Sequence, residues 1–231
     1  VTKTAQNGDE SNPLWTISIE NQTLVSGTKY NTLKCVPGSG VFDLKWEKSG
    51  DAFVPNGGAL GSQLELRDGD GTGNNYQGIP YYQKQLDVFA QTFAQNFNEG
   101  INKSDPTKAI NGHKDGYDLD GNKGGSFFTD GSSAAVFDAV PLASRYASVK
   151  ADTISIATEI QQDVSKIAAA KSNPKTTTGK SDNNNAKALA DLLQSSDCMG
   201  SGKGTPQDAL NAIVTTLGTN SASARRMAEN Q

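Results

Sequence analysis

The sequence is poor in the residues from which most catalytic and metal sites are built. Its 231 residues include one histidine and two cysteines. Catalysis of the Ser/His/Asp or Cys/His type would depend on His113, which no nucleophile motif accompanies. Cys35 and Cys198 are too far apart in the sequence to resemble a zinc-binding pattern. We therefore predict no catalytic residue, no metal ligand and no cofactor site, and we interpret His113 as a solvated loop residue.

Long apolar runs and basic clusters are also missing. No apolar stretch reaches the roughly 18 residues that a membrane-spanning helix needs. The formal net charge is −4, and lysine and arginine are scattered apart from Arg225-Arg226. The electrostatic footprint of a nucleic-acid-binding protein is therefore absent. We expect neither nucleic acid nor a membrane as a partner.

The composition nevertheless supports a folded protein. Hydrophobic residues make up 35% of the chain and 24 further positions are glycine, which together approach the share found in globular domains. A chain of this length can bury a core without a disulfide. Cys35 and Cys198 could form one bridge, but two unlinked thiols are the favoured interpretation.

Alternating apolar and polar residues predict strands in the first part of the chain. Leu14–Glu20 and Val41–Trp46 both follow the two-residue period of a half-buried strand. A tight turn at Asn21-Gln22 leads into Thr23–Val25, so a hairpin is expected. Residues 1–12 are polar and are expected to be frayed.

Helical periodicity begins after the strands. A short helix is predicted at Ala59–Asp68, entered through Gly57-Gly58, and a long helix runs from Pro80 to about Asn98, where Gly100 stops it. Apolar residues recur along the long helix at steps of three or four and share one face: Ile79, Tyr82, Leu86, Phe89, Phe93 and Phe97. We expect the centre of this aromatic stripe to be core and its flanks to contact neighbouring subunits.

The remaining chain mixes helical and extended patterns. Residues 134–158 are ambiguous, and an extended conformation is favoured there because Pro141 breaks a helix. A single helical face is indicated by the spacing of Ile160, Val164 and Ile167.

Two further helices are predicted near the end of the chain. The first is capped by Asp182, and its apolar face consists of Ala186, Leu189, Ala190 and Leu193. The second begins with Thr205 as N-cap and Pro206 at the first helical position. Gly218 interrupts it, but Ala222–Ala228 could continue as helix. Its predicted face consists of Leu210, Ile213, Val214 and Leu217.

These elements predict an α+β protein that is mainly α, with an elongated helical domain and a small antiparallel β unit. The β unit occupies residues 1–55. The helical core domain occupies residues 56–231 and includes a loop or extended region at about 100–158.

An aspartate-rich segment, Asp115–Asn122, has two interpretations. Clustered carboxylates and carbonyls are the ligands that calcium prefers. The EF-hand register fails, however, because Lys123 and Thr129 stand where that motif has glycine and glutamate. A tight turn rich in aspartate, asparagine and glycine is the favoured interpretation.

Several pieces of the sequence, in order, resemble the bacterial flagellar hook-associated protein 1 family, whose members form the first junction between hook and filament. Gly57–Asp68 is similar to the family's G-G-x-L-G-x-L-L-x-x-R-D segment, with Gln63 at a commonly apolar position. Tyr82–Ala90, Gly116–Asn122 and Phe127-Phe128 resemble the segments that follow. Shorter similarities continue the same order at residues 167–170, 182–190 and 211–218.

The resemblance implies a nonenzymatic structural subunit of the extracellular bacterial flagellum that joins hook to filament by packing. Its partners would be the hook protein, the second junction protein or the filament, and copies of itself in the tube. The family's terminal helical regions are not found before Val1 or after Gln231, so we expect a middle fragment that is largely monomeric. The alternative is a secreted calcium-dependent adhesin or carbohydrate-binding module that uses the aspartate-rich segment.

The resemblance and the aromatic stripe together select the residues expected to serve packing. They fall on the short helix, the long helix, the aspartate-rich turn and the aromatic pair: Gly57, Gly58, Leu60, Leu64, Leu66, Arg67, Asp68, Tyr82, Leu86, Phe89, Phe93, Phe97, Asp118, Leu119, Gly121, Phe127 and Phe128.

Overall fold

The computed structural model describes residues 1–6, 9–19, 22–38, 41–55, 57–177 and 179–229. The chain forms two compact units, Val1–Gly78 and Ile79–Gln231. Small antiparallel sheets accompany a larger share of helix, so the α+β, mainly α class is confirmed. The division into domains at residues 1–55 and 56–231 stays a prediction.

The first unit contains a four-stranded antiparallel sheet in the order β1-β2-β3-β4. The strands are β1 (Thr2–Gln6), β2 (Asp9–Ile19), β3 (Gln22–Ser26) and β4 (Lys29–Tyr30). The predicted hairpin is confirmed by the pairing of Ile17 with Val25, although Asn21 of the predicted turn lies outside the described residues. The expectation of a frayed start is wrong, because Thr2 pairs with Thr16 and Thr4 with Leu14. Backbone hydrogen bonds hold this polar strand without an apolar face.

A second, two-stranded sheet in the first unit joins β5 (Leu33–Pro37) to β6 (Phe42–Trp46), which confirms the strand predicted from alternation. Trp46 is buried and packs edge-on against Phe53, with ring centroids 5.4 Å apart. The predicted short helix is present as α1 (Gly58–Asp68). Gly57 and Gly58 enter it with φ angles of 115° and 69°, a region that side chains disfavour.

The long helix of the second unit is α2 (Ile79–Glu99), as predicted, with Pro80 in its first turn. Ala90 and Ala94 lie at the centre of the main core, against Phe137, Tyr146 and Val149. A two-stranded sheet of β7 (Phe128–Thr129) and β8 (Ser155–Ile156) lies beside this core. No helix of the described residues is long and apolar enough to cross a membrane.

The extended conformation favoured for residues 134–158 is wrong over most of the segment. Two short helices occupy it, α3 (Ala134–Ala139) and α4 (Leu142–Arg145), followed by a 3-10 turn before β8. The Ser133 hydroxyl caps α3 by accepting a bond from Val136 N. Pro141 does not prevent helix, because it stands at the N-cap of α4, where a backbone donor is not needed.

A continuous helical face at Ile160, Val164 and Ile167 is also wrong. Helix α5 (Thr158–Gln162) ends at Asp163, whose backbone is extended. The Asp163 carboxylate then accepts a bond from Ser165 N and starts a separate 3-10 turn. A polar side chain that caps the next turn interrupts the helix here.

Helix α6 (Asn184–Gln194) follows the predicted position but not the predicted face. Its N-cap is Asn183 rather than Asp182, although the Asp182 carboxylate accepts a bond from Asn184 N at 2.9 Å. The buried residues are Asn185, Leu189 and Leu192, whereas Ala186 and Ala190 are exposed. The buried asparagine shifts the inner face away from the purely apolar one.

Helix α7 (Pro206–Glu229) begins as predicted. Thr205 Oγ1 accepts a bond from Asp208 N at 3.2 Å, and Asp208 Oδ2 accepts one from Thr205 N at 3.0 Å. The predicted interruption at Gly218 is wrong, since the helix is continuous through it. Val214 and Leu217 of its predicted face are 67% and 50% exposed, so only part of that face is covered.

Two glycines of the second unit should respond in opposite ways to alanine. Gly100 has a φ of 77°, and an added Cβ would collide with the carbonyl of Ile110. Gly218 lies inside α7 with no atom near its missing Cβ. We expect Gly100→Ala to lower the free energy of unfolding by about 1–3 kcal/mol. Gly218→Ala should raise it by about 0.5–1 kcal/mol. Urea denaturation followed by far-ultraviolet circular dichroism measures both, and equal signs would contradict the assignment.

The two cysteines should differ in reactivity. Both are free thiols, Cys35 exposed and Cys198 buried, and burial raises the pKa of the Cys198 thiol to about 11. At pH 8, Ellman's reagent should modify one thiol per chain rapidly and the second only after denaturant is added. Cys35→Ser should abolish the rapid phase. Two rapid thiols, or none, would contradict this arrangement.

Candidate assembly surface and the polar cluster behind it

The aromatic stripe of α2 is a ladder that continues into a neighbouring strand. Phe89 stacks on Phe93 with ring centroids 6.0 Å apart, and Phe93 contacts Phe97 in a tilted arrangement with centroids 6.1 Å apart. Phe128 lies 5.1 Å from Phe93 and 5.0 Å from Phe97, and Phe127 lies 5.2 Å from Phe97. The structure thus brings together five residues that the sequence selected separately. All five are half-buried.

The most deeply buried line on α2 runs beside this ladder rather than along it. It consists of Ala90, Ala94 and Asn98, at a spacing of four residues. Small side chains allow Phe137 and Tyr146 to pack closely against the helix at this line. Farther along the stripe, Ile79 and Leu86 are 50% and 37% exposed. The core therefore takes the small residues, while the stripe takes an intermediate position between core and solvent.

Asn98 is the polar residue whose side chain links α2 to Phe127 and Phe128 by hydrogen bonds. Its Oδ1 accepts bonds from the backbone N–H groups of Phe127 and Phe128 at 2.8 and 3.0 Å. Its Nδ2 donates to the carbonyl of Phe128 at 2.7 Å and to the hydroxyl of Tyr146 at 3.2 Å. The side chain is fully buried and every bond it makes is long-range. The Asn98 amide thus makes the hydrogen bonds to Phe127 and Phe128 that a neighbouring strand would otherwise make.

A cluster of four charges adjoins Asn98. Arg145 Nη1 lies 2.8 Å from Glu99 Oε1 and 3.4 Å from Asp138 Oδ1. Lys114 Nζ lies 3.1 Å from the same Glu99 oxygen and 2.9 Å from Asp138 Oδ1. The Tyr146 hydroxyl also donates to Glu99, at 3.0 Å. The cluster joins α2 to three segments that follow it in the chain.

Ionisation within the cluster is set by burial and by these bonds. Burial opposes ionisation of Asp138, but donors from Lys114 and Ser126 outweigh it and hold the carboxyl pKa below its usual value. Burial and the nearby Glu99 charge raise the pKa of Tyr146 despite the Asn98 bond, so its hydroxyl remains a donor. Nothing in the sequence motifs indicated these residues, because their partners lie 7 to 48 positions away.

A groove lies between α2 and α7, beside the aromatic ladder. Its volume is about 300 Å³, and residues of both helices line it, among them Tyr82, Val88, Phe89 and Ile213. The Tyr82 hydroxyl accepts a bond from Asn220 Nδ2 at 2.8 Å, which ties the two helices together at one end. Val88 is 49% exposed, so an apolar margin of this groove faces solvent.

The predicted packing residues on α1 belong to the first unit and differ from one another in exposure. Leu60 and Leu66 are 42% and 49% exposed, whereas Leu64 is half-buried. Arg67 pairs with the adjacent Asp68 at 2.6 Å and donates to the carbonyl of Phe42 at 2.7 Å, which ties α1 to β6. The bond from Arg67 holds the pKa of Asp68 below its usual value. A groove of about 930 Å³ lies beside this contact.

The aspartate-rich segment is a turn, as predicted. Asp118 Oδ1 accepts a bond from Asn122 N at 2.8 Å, and Gly121 has a φ of 83°. Lys166 pairs with Asp120 at 2.6 Å and approaches Asp118 at 3.9 Å, while Leu119 is exposed. Among the described residues, no three acidic, histidine or cysteine side chains are grouped so that they could hold a metal.

The interpretation of His113 as a solvated loop residue is wrong. Its side chain is fully buried. Nε2 accepts a bond from Ala168 N at 2.9 Å, so Nδ1 carries the proton and donates to the carbonyl of Gly125 at 2.8 Å. Loop composition concealed this position, because the atoms that bury the ring come from residues distant in sequence.

The second unit thus combines an aromatic ladder on α2, a charged cluster beside Asn98 and a groove between α2 and α7 with exposed apolar residues. The model of the flagellar hook-associated protein FlgK helical domain matches residues 1–128. The chain therefore belongs to the flagellar hook-associated protein FlgK family, which confirms the resemblance to hook-associated protein 1. It is a structural, hook-associated component of the flagellum. No curated protein matches the chain.

Loss of the Asn98 amide should destabilise the second unit strongly. Asn98→Ala leaves two backbone donors and one acceptor of Phe127 and Phe128 without this partner. Each buried orphan group costs about 1–3 kcal/mol, so we expect a loss of about 3 kcal/mol or more. The control is Gln95→Ala, on an exposed position of the same helix. Urea denaturation followed at 222 nm compares them, and similar midpoints would contradict the role of Asn98.

Proposed function

We propose that this protein joins the flagellar hook to the filament by subunit packing. Membership of the FlgK family supports a hook-associated structural role. The observation that carries the further step is a set of exposed apolar side chains on α2 and α7. Val88, which lines the groove, is 49% exposed, and Val214 and Leu217 on the exposed part of α7 are 67% and 50% exposed. Exposed apolar side chains of this kind suit contact with another subunit.

The geometry of a tube favours this kind of surface. A tube grows through heterologous contacts that repeat with helical symmetry, and each contact is small. A shallow groove with scattered apolar side chains fits repeated helix packing better than one tight, closed interface. We propose the hook protein on one side, the second junction protein or the filament on the other, and copies of the same chain around the tube, outside the cell.

The predicted packing residues take two roles in this proposal. The ladder Phe89, Phe93, Phe97, Phe127 and Phe128 shapes the subunit and supports the groove from behind. The exposed residues Leu60, Leu66 and Leu86, together with the turn residue Leu119, supply contacts to neighbouring subunits. No catalytic step is included, and the calcium-dependent adhesin remains without an observation that favours it.

The direct test is electron microscopy of cells that lack the full-length gene, with the medium assayed for flagellin. We expect bare hooks and flagellin shed into the medium, because filament subunits would be exported without a junction to hold them. Restoration of the intact gene is the control. Normal filaments on the deletion strain would overturn the junction role.

A matched pair of substitutions on α7 tests the proposed surface. Val214→Arg in the full-length protein replaces the 67% exposed apolar side chain of α7 with a charge, and we expect few filaments although the protein is still folded and exported. Thr215→Arg places the same charge roughly 100° around the helix, at another exposed position, and should leave filaments intact. Filament counts and immunoblots of the medium measure both. Equal filament counts for the two variants would contradict the assignment.

A further inference from the structure

The His113 ring bridges the backbone at Gly125 and the backbone at Ala168. Nδ1–H donates to the carbonyl of Gly125, and Nε2 accepts the Ala168 N–H. The ring is fully buried, with Phe127 edge-on at 5.2 Å. Both nitrogens are therefore committed, one as donor and one as acceptor, and only the neutral ring can make both bonds.

The segment that His113 holds is hydrogen-bonded to the start of α6. The carbonyl of Ala168 accepts a bond from Asn185 Nδ2 at 2.8 Å, and the same nitrogen donates to the carbonyl of Gly112 at 3.3 Å. Side chains from two distant positions thus satisfy the backbone of Ala168, in place of a sheet or helix. The carbonyl of Ala169 accepts a bond from Ala186 N of α6 at 3.0 Å, and Ala170 pairs with Tyr117.

The site has little room for the ring to turn away. A Cβ on Gly124 would lie 2.6 Å from the Ala168 side chain, and one on Gly116 would lie 2.5 Å from the Ala168 carbonyl. These close approaches are possible only because both residues are glycine. A displacement of the His113 ring must therefore shift the backbone that surrounds it.

Charged groups near the ring do not bond to it. Within its own turn, Lys114 pairs with Glu99 and Asp138, and Asp115 pairs with Lys103. The side chain of Lys123 donates to the carbonyl of Asp115, and Lys166, beside the held segment, pairs with Asp120. Helix α6 contributes the neutral Asn185. Asp138 of α3 favours the protonated ring from a distance.

The balance of these effects favours the neutral ring. Burial lowers the pKa of His113, and the Gly125 bond and the Asp138 charge offset it only in part. A proton on Nε2 would also point at the Ala168 N–H, so that two donors would face each other. The Ala168 donor would lose its acceptor inside the protein.

We infer that His113 is an acid-sensitive latch, which holds residues 167–170 and the start of α6 in place when neutral and releases them when protonated. The proton comes from solvent and binds Nε2 as the Ala168 bond breaks. In the released form the ring regains an ordinary pKa, near 6.5. The closed form has the lower pKa, so the latch is fully engaged above about pH 6.5 and weakens as the pH falls below that value.

Amide hydrogen exchange on the full chain tests the latch. From pH 7.5 to 5.5, the protection of the Ala168 amide, corrected for intrinsic exchange, should fall roughly tenfold relative to the buried Ala94 amide in α2. His113→Gln offers one acceptor and one donor without titrating, so its Ala168 protection should not change with pH. A wild-type ratio independent of pH, or an equal fall in the variant, would overturn the latch.

A second measurement does not require the variant to fold. Nitrogen NMR of the wild-type ring should show the Nδ1–H form at pH 7.5 and a ring pKa below 6.5, and Ala168 protection should fall between pH 6.5 and that pKa. A ring that titrates at or above pH 6.5, or that carries its proton on Nε2 at neutral pH, would overturn the proposal.

Discussion

The arrangement of the second unit depends on the Asn98 amide at the end of α2. Phe128 pairs with Ile156 on one side, and Asn98 supplies hydrogen-bond partners on the other side, where the described residues form no third strand. Since the amide donates and accepts toward the same backbone, it fixes both the position and the direction of β7. The aromatic pair can then complete the ladder, and Glu99, one residue later, can reach Arg145 and Lys114.

Elements whose signals are local in sequence could be predicted. The helical period of apolar residues predicts α1, α2 and α7, and Pro80, Pro206 and the Thr205 cap indicate where α2 and α7 begin. Alternation of apolar and polar residues predicts the β2–β3 hairpin. Residues 134–158 could not be predicted, because Phe137 and Tyr146 become helical only by packing against α2, about 50 positions earlier. His113 was misjudged for the same reason, since Ala168 lies 55 positions away.

The candidate surface shows the same limit in another form. A hydrophobic pattern gives most weight to large side chains, so the aromatic stripe determines which face of α2 is predicted to be buried. The residues of α2 that are buried are instead Ala90, Ala94 and Asn98, because small residues permit the closest approach of neighbouring side chains. Phe89, Phe93 and Phe97 were thereby left half-buried, and Phe89 lines the groove. The sequence therefore predicts that α2 is the main packing helix but not which of its faces is buried.

The proposed assembly role gives a physical reason for so polar an interior. Apolar contacts tolerate small shifts, whereas the bonds of Asn98, Arg145 and His113 are satisfied in one arrangement only. A subunit that repeats around a tube transmits any internal shift to every contact. Directional bonds behind α2 would keep its outer margin in one geometry while the apolar residues of that margin remain free to contact neighbours. Stability and assembly would then rest on separate residues of the same helix.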